Sequence, residues 1–175
     1  MSIIFDRSLF VTNPVMRYIA YAVLALFLSV IHIVFLRFIA VSSVTPDLLF
    51  ILTVWIALVE GQFSGIIAGF LCGLLFDVVS TDVQGSNALA KTLAGFVAGF
   101  FYKEGFAMTT IGSARFLMIC ALAALIHNVV YYFLYTRPME TGFLMFFLKY
   151  GVATTLYTTV AAVFPMLVVN RQKDW

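Results

Sequence analysis

His32, Arg37, Asp47, Asp77, Lys91, His127 and Asn128 interrupt stretches that are otherwise apolar, and they are the residues with which this chain could do chemistry. Spacing tests each option. A metalloprotease carries HExxH so that two ligands and a base share one helix face, whereas His32 is followed by Ile33 and His127 by Asn128. A serine-hydrolase elbow reads G-x-S-x-G, and Gly61-Gln62-Phe63-Ser64-Gly65 has one residue too many before the serine. Paired catalytic aspartates need a second carboxylate at the depth of Asp77. Asp47 is the sole candidate, without the glycine-flanked context of such sites. Cys72 and Cys120 lie in apolar runs with no CxxC and no histidine partner, so they read as small hydrophobes. The expectation is a protein that is not an enzyme and uses no metal or cofactor.

What remains is electrostatics at depth. A charge in the middle of a bilayer costs about 2.5–3.5 kcal/mol even on lenient insertion scales, so each needs a partner. Asp77 and Lys91 flank one hairpin loop, which predicts a salt bridge across it, with Asp47 able to join. Such a cluster either fixes helix register or forms a ligand or proton site.

The elements that must position these groups follow from composition. The 175 residues are 63% hydrophobic and 10% charged, against roughly a quarter charged in a soluble domain. Mean hydropathy is +1.08. Disorder, a secreted disulfide scaffold and nucleic-acid binding are excluded, because each needs polar or cationic surface. A net charge of +2 bears on topology only.

Residues 18–39 form the clearest span, long enough at about 1.5 Å per residue to cross a core of about 30 Å. Residues 48–59 give a short helix bracketed by Pro46-Asp47 and Glu60-Gly61; 63–79, 88–102 and 116–135 supply three more. Residues 142–169 exceed one span, and 143–149 read as an interfacial stretch before the final helix. The expected fold is all-α, about six transmembrane helices in one bundle. It forms a single domain over 1–175, with an uncleaved N-terminal segment at 1–16 and a short basic tail at 170–175.

Both termini then share a side. That side carries Arg7, Arg17, Lys103, Arg115, Arg171 and Lys173 against Arg37, Lys91, Arg137 and Lys149 opposite, which favours cytoplasmic termini. With that orientation, the polar residues above all fall in the outer half or at its edge. No polar helix face runs the full depth, which argues against a channel or exporter.

Gly65, Gly69 and Gly73 fall in one row along the third helix, and Gly95 and Gly99 in one along the fourth, beside Ala90, Ala94 and Ala98. Small residues collect where helices touch in lipid, since close van der Waals approach drives association there. The rows serve either packing inside the bundle or docking of another protein's helix. The likeness between residues 68–73 and 94–99 reads as shared packing chemistry rather than an internal repeat.

Taken in order, residues 45–99 resemble a known family. They contain Thr45-Pro46-Asp47-Leu48-Leu49, Glu60-Gly61, then Gly69-Phe70-Leu71-Cys72-Gly73 leading to Asp77, then Gly85-Ser86-Asn87-Ala88-Leu89-Ala90-Lys91. The pattern is similar to MreD, the bacterial rod shape-determining membrane proteins, with Pro46, Asp47, Asp77, Gly85 and Lys91 as its specific positions. The resemblance implies a non-enzymatic inner-membrane scaffold that binds MreC directly within the membrane and helps control lateral peptidoglycan synthesis. Around them would stand RodA, a class B penicillin-binding transpeptidase and MreB, with lipid as the surrounding ligand and no nucleic acid. It also implies a fold similar to the substrate-binding subunits of energy-coupling-factor transporters, six helices around an outward-facing cavity. Such a vitamin-binding subunit is the alternative reading. Those subunits dock through an Ala-x-x-x-Ala row on the first helix, but here Ala20, Ala22 and Ala25 are followed four residues on by Leu24, Leu26 and Ser29. With so little surface outside the bilayer, MreC would dock laterally, on the Gly65/Gly69/Gly73 or the Ala90/Ala94/Ala98 row. The Glu60-Gly61 turn and the Lys103-Glu104-Gly105 loop would face the cytoplasm.

Overall fold

A computed structural model describes residues 13–34, 44–80, 84–136 and 143–171. The first helix, α1 (Pro14–Val34), starts earlier than hydropathy alone suggests because of local capping. The Asn13 side chain accepts from the Val15 amide at 3.1 Å, and Pro14 takes the first helical position, where its missing N–H costs nothing. Arg37 and Arg137, like residues 1–12 of the N-terminal segment and 172–175 of the tail with Lys173, lie outside the described residues.

Helix α2 (Leu48–Glu60) is short, and its surroundings explain why. A helix apolar all round belongs in a protein interior, and Leu49, Phe50, Val54, Ala57 and Leu58 are at most 1% exposed. Its 13 residues reach only about 20 Å, less than a bilayer core. Both ends therefore leave a carboxylate within the bundle, Asp47 at the start and Glu60 at the finish, and each is paired. Asp47 caps the helix, accepting from the Phe50 amide at 2.8 Å.

Helix α3 (Gln62–Val79) follows through Gly61, whose φ of 97° is a backbone region that L side chains rarely adopt. Helix α4 (Ser86–Gly99) returns beside it. A single-turn helix, α5 (Ala107–Ile111), which hydropathy does not announce, precedes α6 (Ala114–Thr136). The last helix, α7, runs over Phe143–Arg171. Residues 143–149, expected as a separate interfacial stretch, continue into it: Phe143–Phe146 is α-helical, Phe147–Gly151 forms a π turn, and Val152–Ala161 and Val163–Arg171 carry on. Among the described residues there is no β-strand.

Up-and-down order sorts the polar groups. The end of α1, the start of α2, the end of α3, the start of α4 and the later part of α6 meet at one end of the bundle. From there the core runs towards the other end: Phe50, Val54 and Leu58 of α2 pack with Ala94 and Ala98 of α4, with Phe116, Ile119, Cys120 and Ala123 of α6, and with Ala162 and Val169 of α7. Outward faces stay apolar: Val23, Phe27, Phe63, Val78, Met118, Leu156 and Phe164 are each at least 60% exposed. Helices α1, α6 and α7 are long and apolar enough to cross a membrane, so the surface has the chemistry of one dissolved in lipid.

Candidate functional site: a buried polar cluster above the core

Lys91 is completely buried, and its partner is Asp47. The ammonium lies 2.6 Å from Asp47 Oδ2, donates to Asn87 Oδ1 at 3.2 Å and sits 4.4 Å from the centre of the Phe76 ring. The salt bridge expected between Lys91 and Asp77 is therefore corrected. Asp77 instead satisfies the amides that open α4: Oδ2 accepts from Gly85 and Ala88, and Oδ1 from the backbone and side-chain nitrogens of Asn87. The reason is geometric. The first amides of a helix have no partner within it, so a carboxylate arriving from α3 beside them finds several donors and a favourable dipole. Asn87, four residues before Lys91, then links Asp77 to Lys91 through its one side-chain amide, and Lys91 carries the connection on to Asp47.

Asp47, Asp77 and Lys91 thus belong to one hydrogen-bonded network, and Pro46 is buried beside it. Gly85 stands at its rim, exposed, with a φ of 90° that lets the chain turn into α4. The backbone amide of Asp47 donates to Thr158 Oγ1 of α7 at 3.1 Å, which fastens the last helix to the cluster. Asn87 and Thr158 were not singled out from the sequence. An asparagine four residues before a buried lysine was the available signal for the first; no local pattern marks the second.

Next to the network is a cavity of about 230 Å³, lined among others by His32, Asp47, Asn87, His127, Asn128 and Tyr131. His127 lies parallel to Tyr131, with ring centres 6.2 Å apart, and edge-on to Phe50 at 5.5 Å. His32 meets Phe76 edge-on at 4.7 Å. Among the described residues no group of three or more His, Cys, Asp or Glu side chains could hold a metal ion.

At the opposite end of the bundle a second ion pair closes the other terminus of α2. Glu60 Oε2 lies 2.6 Å from Arg17 of α1, and Glu60 Oε1 accepts from the Tyr21 hydroxyl at 3.0 Å.

The small-residue rows pack inside the bundle. A methyl group added at Gly69 would strike the backbone carbonyl of Lys91; at Gly73 it would strike Asn87 and Ala88, at Gly95 the carbonyl of Gly65, and at Gly99 Gln62. Gly65 faces both Ala57 of α2 and the carbonyl of Gly95. Ala90, Ala94 and Ala98 are fully buried. Of the two uses open to these rows, α2, α3, α4 and α6 therefore take up the first, and neither row offers a groove to a partner.

A family model described as rod shape-determining protein MreD matches residues 12–164. No curated protein and no solved structure matches the chain.

Proposed function

The chain belongs to the family of rod shape-determining protein MreD, and from that premise we propose that it is a non-enzymatic scaffold of the cell-elongation machinery in the bacterial inner membrane. It binds MreC within the bilayer and, through it, stands in a wider complex with RodA, a class B transpeptidase and MreB that directs lateral peptidoglycan synthesis. The whole chain acts as one transmembrane unit with both termini in the cytoplasm. The family match over most of the chain carries this reading, and the motif positions Pro46, Asp47, Asp77, Gly85 and Lys91 have a role in it. They hold the ends of α2, α3 and α4 and the middle of α7 in register, so that the outer surface presented to a partner is rigid.

The docking face must be a different one from the small-residue rows. We place it on α1, whose apolar window is only 11% buried, less than those of α6 and α7. Val15, Ile19, Val23, Leu26 and Val30, all more than half exposed, recur at spacings of three and four, the seam on which a second spanning helix packs. Copurification tests this. In a background free of Cys72 and Cys120, single cysteines at Val23 or Leu26 should crosslink to MreC, and cysteines at Met118 or Phe164 should not. Crosslinks confined to α6 and α7 would move the face; no copurification of MreC would remove the reading.

A further inference from the structure

Two cations at the Glu60 end of the bundle have no counter-charge. Arg115 lies in the first turn of α6 and Arg171 ends α7; both are exposed, and neither side chain has an ion pair or a hydrogen bond. The other described cations are engaged: Arg17 with Glu60, Lys91 with Asp47, and Lys103 and Lys149 over the rings of Phe106 and Tyr150. Of the described acids at this end, Glu60 is held by Arg17 and Tyr21, and Glu104 stands next to Lys103.

The two arginines border one structure. Helix α5 packs against both the start of α6 and the end of α7. Its Ile111 shares a buried cluster with Phe116, which follows Arg115, and with Val169, two residues before Arg171. Phe106 and Met108, around the start of α5, are exposed between them in sequence and apolar.

Each arginine also stands at the end of an apolar strip. Side chains three, four and seven residues apart share a helix face. From Arg115 that spacing reaches Met118 and Leu122; from Arg171 it reaches back to Val168, Leu167 and Phe164, and all five are exposed. An acidic protein in water could meet the arginines and would leave the strips uncovered. A phospholipid meets both, because its phosphate is joined to its acyl chains at the depth where an arginine head reaches the boundary on its apolar stem. Guanidinium groups bind phosphate through paired hydrogen bonds. A zwitterionic headgroup brings its own ammonium to that phosphate, whereas an anionic one leaves its charge for the protein.

We propose that this end of the bundle is a binding surface for anionic phospholipid, with headgroup phosphates on Arg115 and Arg171 and acyl chains along the two strips. The inference stands on charge and exposure at this end and is independent of the scaffold role.

The test titrates the full chain in detergent with phosphatidylglycerol and with phosphatidylcholine of the same acyl chains, followed by native mass spectrometry. A basic side chain near an anionic headgroup layer gives about a fivefold preference, so phosphatidylglycerol should be retained at least about fivefold better. The preference should disappear in the Arg115→Gln, Arg171→Gln double variant and persist in Lys149→Gln, at the opposite end of α7. Glycerol 3-phosphate, which has the phosphate without the chains, should not displace the lipid at millimolar concentration. A second readout needs no variant, and so decides even if the double variant does not fold. In nanodiscs, phosphatidylglycerol carrying a diazirine near its headgroup should crosslink to α5, the start of α6 and the end of α7 in preference to residues 143–150. Equal retention of the two lipids, a preference that the double variant keeps, displacement by glycerol 3-phosphate, or crosslinks concentrated at residues 143–150 would overturn the proposal. The first of these would leave the arginines to an acidic protein.

Discussion

Replacing Asp47 and Lys91 singly and together tests the network where it is most exposed to error. Lys91 is 0% exposed, and Lys91→Met would strand the Asp47 carboxylate with only its Phe50 cap; Asp47→Ala would strand a buried ammonium and also uncap α2. Breaking one side of a buried pair costs about 3–5 kcal/mol. Loss of the cap adds about 1 kcal/mol, so Asp47→Ala should be the worse of the two. The double variant leaves no unpaired charge, and should be more stable than Asp47→Ala alone. The cycle should therefore show a coupling of at least about 2 kcal/mol, within the range measured for close charge pairs. The parallel cycle of Asp77→Ala with Lys91→Met should give less than about 1 kcal/mol, because the two meet only through Asn87. Equilibrium unfolding in mixed detergent micelles measures both. Additive losses for Asp47 and Lys91, or the larger coupling at Asp77, would refute the assignment of partners.

Asp77→Ala should cost about 3 kcal/mol, since it frees several donors at once, and hydrogen exchange should quicken at the Gly85, Asn87 and Ala88 amides before it does elsewhere in α4. Gly69→Leu should lower the stability of the isolated protein by at least about 1–3 kcal/mol through overpacking, visible as a fall in melting temperature with no partner present. Glu60→Gln should loosen α1, since Arg17 and Tyr21 both converge on that carboxylate; amide exchange near residue 17 should rise while Asp47 and Lys91 remain paired.

Much of the architecture was open to reading in the sequence, because a lipid-facing helix needs an unbroken apolar run and there are few ways to write one. The helices at 48–59 and 63–79 agree with α2 and α3 to within a residue or so, since Pro46-Asp47 and Glu60-Gly61 are strong stops. Convergence of His32, Asp47, Asp77, Lys91 and His127 at one end was legible from depth, which alternating helix direction fixes. Which acid Lys91 takes was not. Both lie within reach of it, and the choice depends on the free amides at the start of α4, a demand that sequence separation does not display. The π turn escaped for a similar reason: nothing in Phe147-Leu148-Lys149-Tyr150-Gly151 breaks helical periodicity, and its partner Asn128 is on another helix. The glycine rows could be seen as contact surfaces without disclosing whose contact they make, because the same close approach serves a neighbour in the bundle or a helix of another protein.

The claim that this chain helps determine rod shape is tested most directly by depleting it from its own cells and measuring cell width and length as the protein disappears. Rods that widen into spheres, and recover when the unaltered chain is supplied again, are the predicted result. Cells that keep their rod dimensions after the protein is gone would contradict it.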